Sequence, residues 1–421
     1  MKKITFLFLL SIQVLFAQNY TEYLTGNATD VTTNHQTGIC LMGGNIDQRD
    51  AMKWFLMQAN GGDVVVLRAS GGDGYNNFMY SQLGVNINSV RTFVINNAAG
   101  ALDPYVLEKV ANAEAIWFAG GDQYDYVKYF KDNAMEAALN TFINTKKGIV
   151  GGISAGLAIM GSSYFSAQLG GLNSDDVLLN PYHPRVTLGY NDFLEIPFME
   201  DVITDSHFSE NNRQGRISVF LARFLEDNNR RSFGIACDED TAITVDSNGK
   251  ASVYGPGSAY FLQSDCSTNN APEIMLKYKP FTWDRGGEAL KVFKVLGTTT
   301  GVNYFDLSDW QTGYGGTWQN WSVDEGILTM AAGTNPMCDR LFVPNFESFV
   351  VEIYPNPVSD RIFIKSKTPV QSVKIYNILG KEFSSTLSNG NLIDVSSLSS
   401  GMYFLKLYSE TSEHAFKILK K

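Results

Sequence analysis

Short apolar runs alternate with amphipathic stretches from Thr37 to about Leu262. Ile39–Met42, Val64–Leu67, Val90–Ile95 and Ala115–Phe118 are bounded by glycine or polar residues and read as buried strands. Gln48–Asn60, Tyr105–Ala111 and Glu136–Lys146 space their apolar residues as helices do. A strand that is apolar throughout must be covered on both faces, so this alternation predicts a mostly parallel, doubly wound α/β sheet with helices on either side. Ligands of such sheets sit at the carboxyl ends of the strands. Gly43-Gly44, Gly120-Gly121 and the segment Gly152-Ile153-Ser154-Ala155-Gly156 all fall there, so three loops are expected to converge on one crevice.

The pattern then changes twice. After the helix Ile217–Leu225, the runs Ser232–Cys237, Ala242–Val245, Ala251–Tyr254 and Ala259–Leu262 read as antiparallel edge strands, with Asp246-Ser247-Asn248-Gly249 as a hairpin turn. Residues 264–351 begin with a stretch rich in Gly, Thr and Trp and are assigned as an extension of the same domain. From Glu352 onward, period-2 alternation in Arg361–Lys365, Val373–Tyr376 and Tyr403–Tyr408 predicts a small all-β sandwich of about seven short strands. At the other end, Lys2 and Lys3 precede the apolar stretch Ile4–Phe16 and then Ala17, the layout of a secretory signal peptide. The expected organisation is therefore a leader over 1–17, a main domain over 18–351 and a sandwich over 352–421.

Composition narrows the function classes. A formal net charge of -10 over 421 residues argues against nucleic acid as a partner, because phosphate binding needs basic surface. The four cysteines include no CxxC pair and no HExxH occurs, so neither a metal nor another cofactor is expected. Cys40 and Cys237 lie in apolar runs as buried thiols, whereas Cys266 and Cys338 lie in polar stretches and can pair in an oxidising compartment.

The chemistry centres on Ser154. G-x-S-x-G between a strand and a helix is the pattern of a nucleophile elbow. A serine hydroxyl attacks only when a base removes its proton, so a histidine is required. Of the four histidines, His35 is near the start, His183 is flanked by prolines and His414 lies in the terminal module, which leaves His207. The acid that orients its imidazole is expected at Asp176 or its neighbour Asp175, with Glu195 and Glu200 as weaker choices. Arg213 and Arg216, three apart after His207, can clamp a carboxylate, and Gln123 can offer its amide to substrate. Each has a plainer reading: a solvated acidic turn for Asp175 and Asp176, and helix solvation or an ion pair with Glu210 for the arginines.

Taken together and in order, Gly43-Gly44, Phe118–Gln123, Gly152–Gly156, Asp205-Ser206-His207-Phe208 with Arg213 and Arg216, and Gly234–Ala242 resemble the cyanophycinase and dipeptidase E family of serine peptidases. The resemblance implies a class I glutamine amidotransferase-like fold, Ser154 as nucleophile, His207 as base and Asp176 as the acid. It also implies an oxyanion hole from the amides of Gly121 and Ala155, and substrate contacts from Gln123, Asp205, Arg213 and Arg216. Asn211 stands where that family has a further arginine, and Ser206 where it commonly has glutamine, so the substrate need not be cyanophycin. Tyr354-Pro355-Asn356-Pro357, Val373–Asn377, Gly401-Met402-Tyr403 and Lys417-Ile418 resemble a C-terminal sorting domain of the type IX secretion system. The expectation is an exported serine exopeptidase acting on acidic or β-aspartyl (isopeptide) dipeptides or short peptides. Its partners would be that substrate and the secretion machinery, and a homodimer is allowed. The alternative is a catalytically silent surface module with Gly313–Trp321 as its contact face.

Overall fold

The computed structural model describes residues 19–264, 266, 270–336, 351–366, 370–377, 381–383, 387–388, 391–408 and 413–421. The expected leader, residues 1–17, lies outside them. The chain divides into two compact units, Met1–Arg340 and Leu341–Lys421.

In the first unit a ten-stranded sheet runs in the order Thr21–Gly26, Ser89–Val94, Asp63–Arg68, Ala115–Phe118, Ile149–Ile153, Gly38–Met42, Ala242–Val245, Lys250–Tyr254, Tyr304–Asp306, Gly313–Tyr314. The run from Ser89–Val94 to Gly38–Met42 is parallel throughout, and the flanking strands are antiparallel. Alternate residues face alternate cores, as a pleated strand requires. Val64 and Val66 point into the core shared with the helix Arg49–Gln58, while Val65 and Leu67 point into the core shared with the helices Pro104–Asn112, Gln123–Phe130 and Ala134–Thr141. Helices therefore pack on both faces of the parallel run.

The expectation of one mostly parallel sheet is corrected, because a second, eight-stranded sheet stands beside the first. Its order is Ile327–Ala332, Gly316–Asp324, Leu290–Leu296, Ser258–Ser264, Phe233–Cys237, Val202–Asp205, Ser163–Phe165, Leu188–Tyr190. Val202–Asp205 and Phe233–Cys237 are parallel to each other, and the strands from Ser258 onward are antiparallel. Phe233, Ile235, Phe261 and Phe293 join the core that Val65 and Leu67 also enter, so the two sheets share one apolar interior. The other face, through Ile203, Ala236 and Leu262, packs on the helix Gln214–Asn228. The strands between Leu290 and Ala332 extend both sheets, which places much of the Gly/Thr/Trp-rich stretch inside this unit.

Among the described residues, the second unit has two four-stranded sheets, each contributing to a core that includes Ile362, Ile364 and Ile393 from one and Ile375, Leu405, Leu407 and Ile418 from the other. Cys40 and Cys237 are buried free thiols. Cys266 is disulfide-bonded, and Cys338 lies outside the described residues.

Candidate active site

The elbow forms because three backbones meet with no room for side chains. Ser154 follows the fully buried strand Ile149–Ile153 and precedes the short helix Ala155–Ala158, at φ 54° and ψ -108°. A non-glycine residue held there stores about 1–3 kcal/mol of strain, which the surroundings must enforce. The Ser154 amide donates to the Met42 carbonyl on the neighbouring strand at 3.0 Å. A Cβ on Gly156 would lie 2.1 Å from the Phe118 oxygen, and one on Gly152 2.7 Å from the Gly156 carbonyl carbon. Both glycines are thus set by close approach.

His207 arrives from the other sheet. It follows Val202–Asp205, its amide donates to the Gly43 carbonyl at 2.8 Å, and its ring lies against Gly44, where a Cβ would be 2.2 Å from Cε1. Nε2 is 2.7 Å from Ser154 Oγ. Nδ1 is 2.6 Å from Oε1 of Glu239. An ionised carboxylate only accepts, so Nδ1 carries the proton, and Nε2 of the neutral ring is left to accept from the serine hydroxyl.

The acid beside the imidazole is Glu239, not Asp176. Asp176 sits in the helix Ser174–Leu178 and closes a capping box: its Oδ2 accepts from the Asn173 amide at 3.0 Å and its own amide donates to Asn173 Oδ1 at 3.2 Å. Its other oxygen faces Arg185 Nη2 at 3.3 Å. Asp175 accepts from Asn212 Nδ2 at 3.2 Å. Both acids are therefore occupied in holding their own loop. Glu239 lies where the chain leaves Phe233–Cys237 and crosses to Ala242–Val245, which pairs with Gly38–Met42 in the first sheet. Its two acidic neighbours fix that crossing. Asp238 accepts from the amides of Ser209 and Ser258 at 3.1 and 3.0 Å, and Asp240 from Asn45 Nδ2 and the Ile46 amide at 3.0 and 2.9 Å. The signal for Glu239 was available as three consecutive acids at a strand's carboxyl end, inside a segment already singled out.

A cleft of about 180 Å³ opens at the elbow, lined among others by Gly121, Gln123, Ser154, Ala155, His207 and Arg213. Gln123 opens the helix Gln123–Phe130 and donates to the Phe165 carbonyl at 3.4 Å. Arg216 and Asp205 also reach the cleft, but each satisfies the other. Nε and Nη2 of Arg216 bind the two Asp205 oxygens at 2.8 and 2.5 Å, and Nη1 donates to the Leu172 carbonyl at 2.6 Å. With both side chains buried, the carboxylate that Arg216 clamps is the protein's own. Arg213 is less engaged: Nη1 donates to the Ser206 carbonyl at 2.7 Å and stands 3.5 Å from Asp205. Burial pulls its pKa below the usual guanidinium value, partly opposed by Asp205.

Outside the cleft, His35 bonds the Lys146 carbonyl at 3.0 Å and His183 accepts from the Arg185 amide at 3.2 Å, so both have structural partners. Among the described residues no group of three or more His, Cys, Asp or Glu could hold a metal ion.

Comparison with known proteins returns two family models. Residues 75–253 match peptidase family S51, and residues 352–421 match the secretion system C-terminal sorting domain. Cyanophycinase of Synechococcus elongatus is 25% identical over 174 residues, covering 41% of this chain and 49% of that protein. Cyanophycinase of Geminocystis herdmanii is 26% identical over 151 residues, covering 36% of this chain and 50% of that protein. The chain thus spans about half the length of these curated relatives. A crystal structure of a peptidase from an acI-B1 actinobacterium aligns with 15% identity and a TM-score of 0.40, over 53% of this chain and 90% of that one. The chain therefore resembles peptidase family S51 ahead of a C-terminal sorting domain, which directs it by type IX secretion to the cell surface or the extracellular space.

Proposed function

We propose that this chain is an exported serine-type exopeptidase that hydrolyses acidic or β-aspartyl (isopeptide) bonds in short peptides. The observation that carries the reading is the unbroken line from Ser154 Oγ through His207 Nε2 and Nδ1 to Glu239 Oε1, with separations of 2.7 and 2.6 Å. In this reading His207 takes the Ser154 proton as Oγ bonds to the scissile carbonyl carbon, and Glu239 stabilises the imidazolium that results. The amides of Gly121 and Ala155, both on the cleft, donate to the oxygen that becomes negative. His207 returns the proton to the leaving nitrogen, and a water activated by the same imidazole releases the acyl group.

Arg213 supplies the positive charge that favours an acidic substrate, with Gln123 beside it to orient the chain. Arg216 and Asp205 act as a neutral pair that holds Arg213 and the start of its helix. We read the parallel run with helices on both faces as a doubly wound, class I glutamine amidotransferase-like arrangement that has serine at the nucleophile position. The test is hydrolysis of matched α-aspartyl, β-aspartyl and neutral dipeptides by the intact enzyme and by Ser154→Ala. Turnover that survives in Ser154→Ala, or a preference for neutral substrates, would overturn the reading.

A further inference from the structure

We infer that Glu210 is a positioning residue of the active site, whose side chain fixes the backbone of Glu239 and through it the tautomer of His207. This rests on the proposed roles of Ser154, His207 and Glu239. Oε2 of Glu210 accepts from the Glu239 amide at 3.2 Å. Glu210 lies three residues after His207. It is not taken up by the arginines that follow it, because the ion pairs of Arg213 and Arg216 go to Asp205.

The bond completes a register between the loops that carry the base and the acid. The Phe208 amide donates to the Cys237 carbonyl at 3.3 Å and the Ser209 amide to Asp238 Oδ1 at 3.1 Å. The Glu239 amide then donates to Glu210. Phe208 thus meets Cys237, Ser209 meets Asp238 and Glu210 meets Glu239, residue by residue along both loops. The first two rungs are anchored in the fold, since Phe208 is buried and Asp238 also accepts from the Ser258 amide at 3.0 Å. The third lies at the surface and depends on the Glu210 side chain.

The two sides of Glu239 are held from different places. Its carbonyl accepts from the Thr241 hydroxyl at 3.0 Å, which itself accepts from the Gly257 amide at 2.9 Å, so that side is fixed within its own crossing. Its amide is fixed from the histidine's loop. The coupling matters because glutamate is a long acid with several free torsions between backbone and carboxylate, while its bond to Nδ1 is only 2.6 Å. Oε1 stays on Nδ1 when the Glu239 backbone keeps its place relative to the ring. Once it drifts, the neutral imidazole can carry its proton on Nε2, which then no longer accepts from Ser154.

Substitutions in the full chain test this. Glu210→Ala removes the acceptor and should lower kcat about tenfold with KM within about twofold, a part of the hundredfold that a misplacement of about 1 Å costs. Glu210→Gln keeps an oxygen for the Glu239 amide and should return kcat to within about threefold of wild type. In a Glu239→Gln background, adding Glu210→Ala should change kcat by less than about twofold, because the carboxylate it acts through is already gone. Nitrogen NMR of isotopically labelled histidines reads the tautomer without turnover. His207 should carry its proton on Nδ1 in the wild type and in Glu210→Gln, and show a mixture of tautomers in Glu210→Ala. If no peptide is cleaved but the tautomer responds in this way, the peptidase reading fails and this inference stands. Glu210→Ala with the wild-type rate and tautomer, no rescue by Glu210→Gln, or losses that multiply in the double variant would overturn it.

Discussion

Replacing Glu239 with Gln keeps the side chain's shape and removes its charge. The carboxylate meets His207 Nδ1 at 2.6 Å, with the two side chains 28% and 20% exposed, so the pair is only partly screened. Opposite charges about 4 Å apart in a medium of effective dielectric about 20 interact by about 4 kcal/mol. At about 1.4 kcal/mol per factor of ten, losing that stabilisation of the imidazolium lowers kcat by about 10³. A glutamine amide can also present N–H to Nδ1 and force the wrong tautomer, which carries the loss towards about 10⁴. Asp176→Asn is the control. It weakens a capping box and the Arg185 contact, worth about 1 kcal/mol, and should lower Tm by about 2–4 °C with kcat within about twofold of wild type. Steady-state kinetics on one cleavable peptide and a thermal melt of each variant decide the matter. Glu239→Gln retaining kcat within tenfold, or Asp176→Asn losing a thousandfold while folded, would refute the assignment.

Gly44→Ala builds a methyl 2.2 Å from His207 Cε1 on a backbone at φ +125°; the imidazole must move, and a shift of about 1 Å should lower kcat about a hundredfold, as steady-state rates will show. Asp205→Asn leaves the buried Arg216 guanidinium without its counter-ion and should destabilise the fold by about 3–5 kcal/mol in denaturant titration; a loss below about 1 kcal/mol would contradict the structural role given to that pair. Burial raises the pKa of Asp47, only partly offset by the hydroxyl of Tyr75. A carboxyl whose folded pKa exceeds its unfolded value of about 4 contributes stability below that pH and loses it as the pH rises through the folded pKa. Asp47→Asn should accordingly melt higher than wild type at pH 7 and equally at pH 3, and a gap that does not change with pH would count against it.

The parts of the site legible in the sequence are those whose chemistry is local. Gly152 and Gly156 announce the elbow because the close approach of backbones demands glycine, and His207 follows by exclusion among four histidines. Glu239 is not local to His207: the two loops become neighbours only because Val202–Asp205 and Phe233–Cys237 pair in parallel. Asp176, nearer in sequence to both catalytic candidates, is the acid that the sequence favours, and nothing in the sequence shows that its carboxylate is taken up by the capping box with Asn173. Arg216 read as a substrate clamp for the same reason, since sequence carries no sign that Asp205 meets it bidentately. The parallel strands were readable as unbroken apolar runs. Gly316–Asp324 was not, because a half-buried antiparallel strand with Trp, Gln and Asn looks like a loop in one dimension.

The two-sheet origin of the site bears on when the protein can act. Synthesis runs from the amino end, so a nascent chain that has emerged only as far as Gly156 holds the proposed nucleophile without its proposed base. His207 and Glu239 follow the strands Val202–Asp205 and Phe233–Cys237, and the antiparallel neighbour of the latter, Ser258–Ser264, comes later still, itself followed by its own partner Leu290–Leu296. On the proposed reading, a fragment that ends before Glu239 lacks part of the Ser154–His207–Glu239 line, and recovery of turnover during refolding is expected only once the two sheets have closed on their common interior.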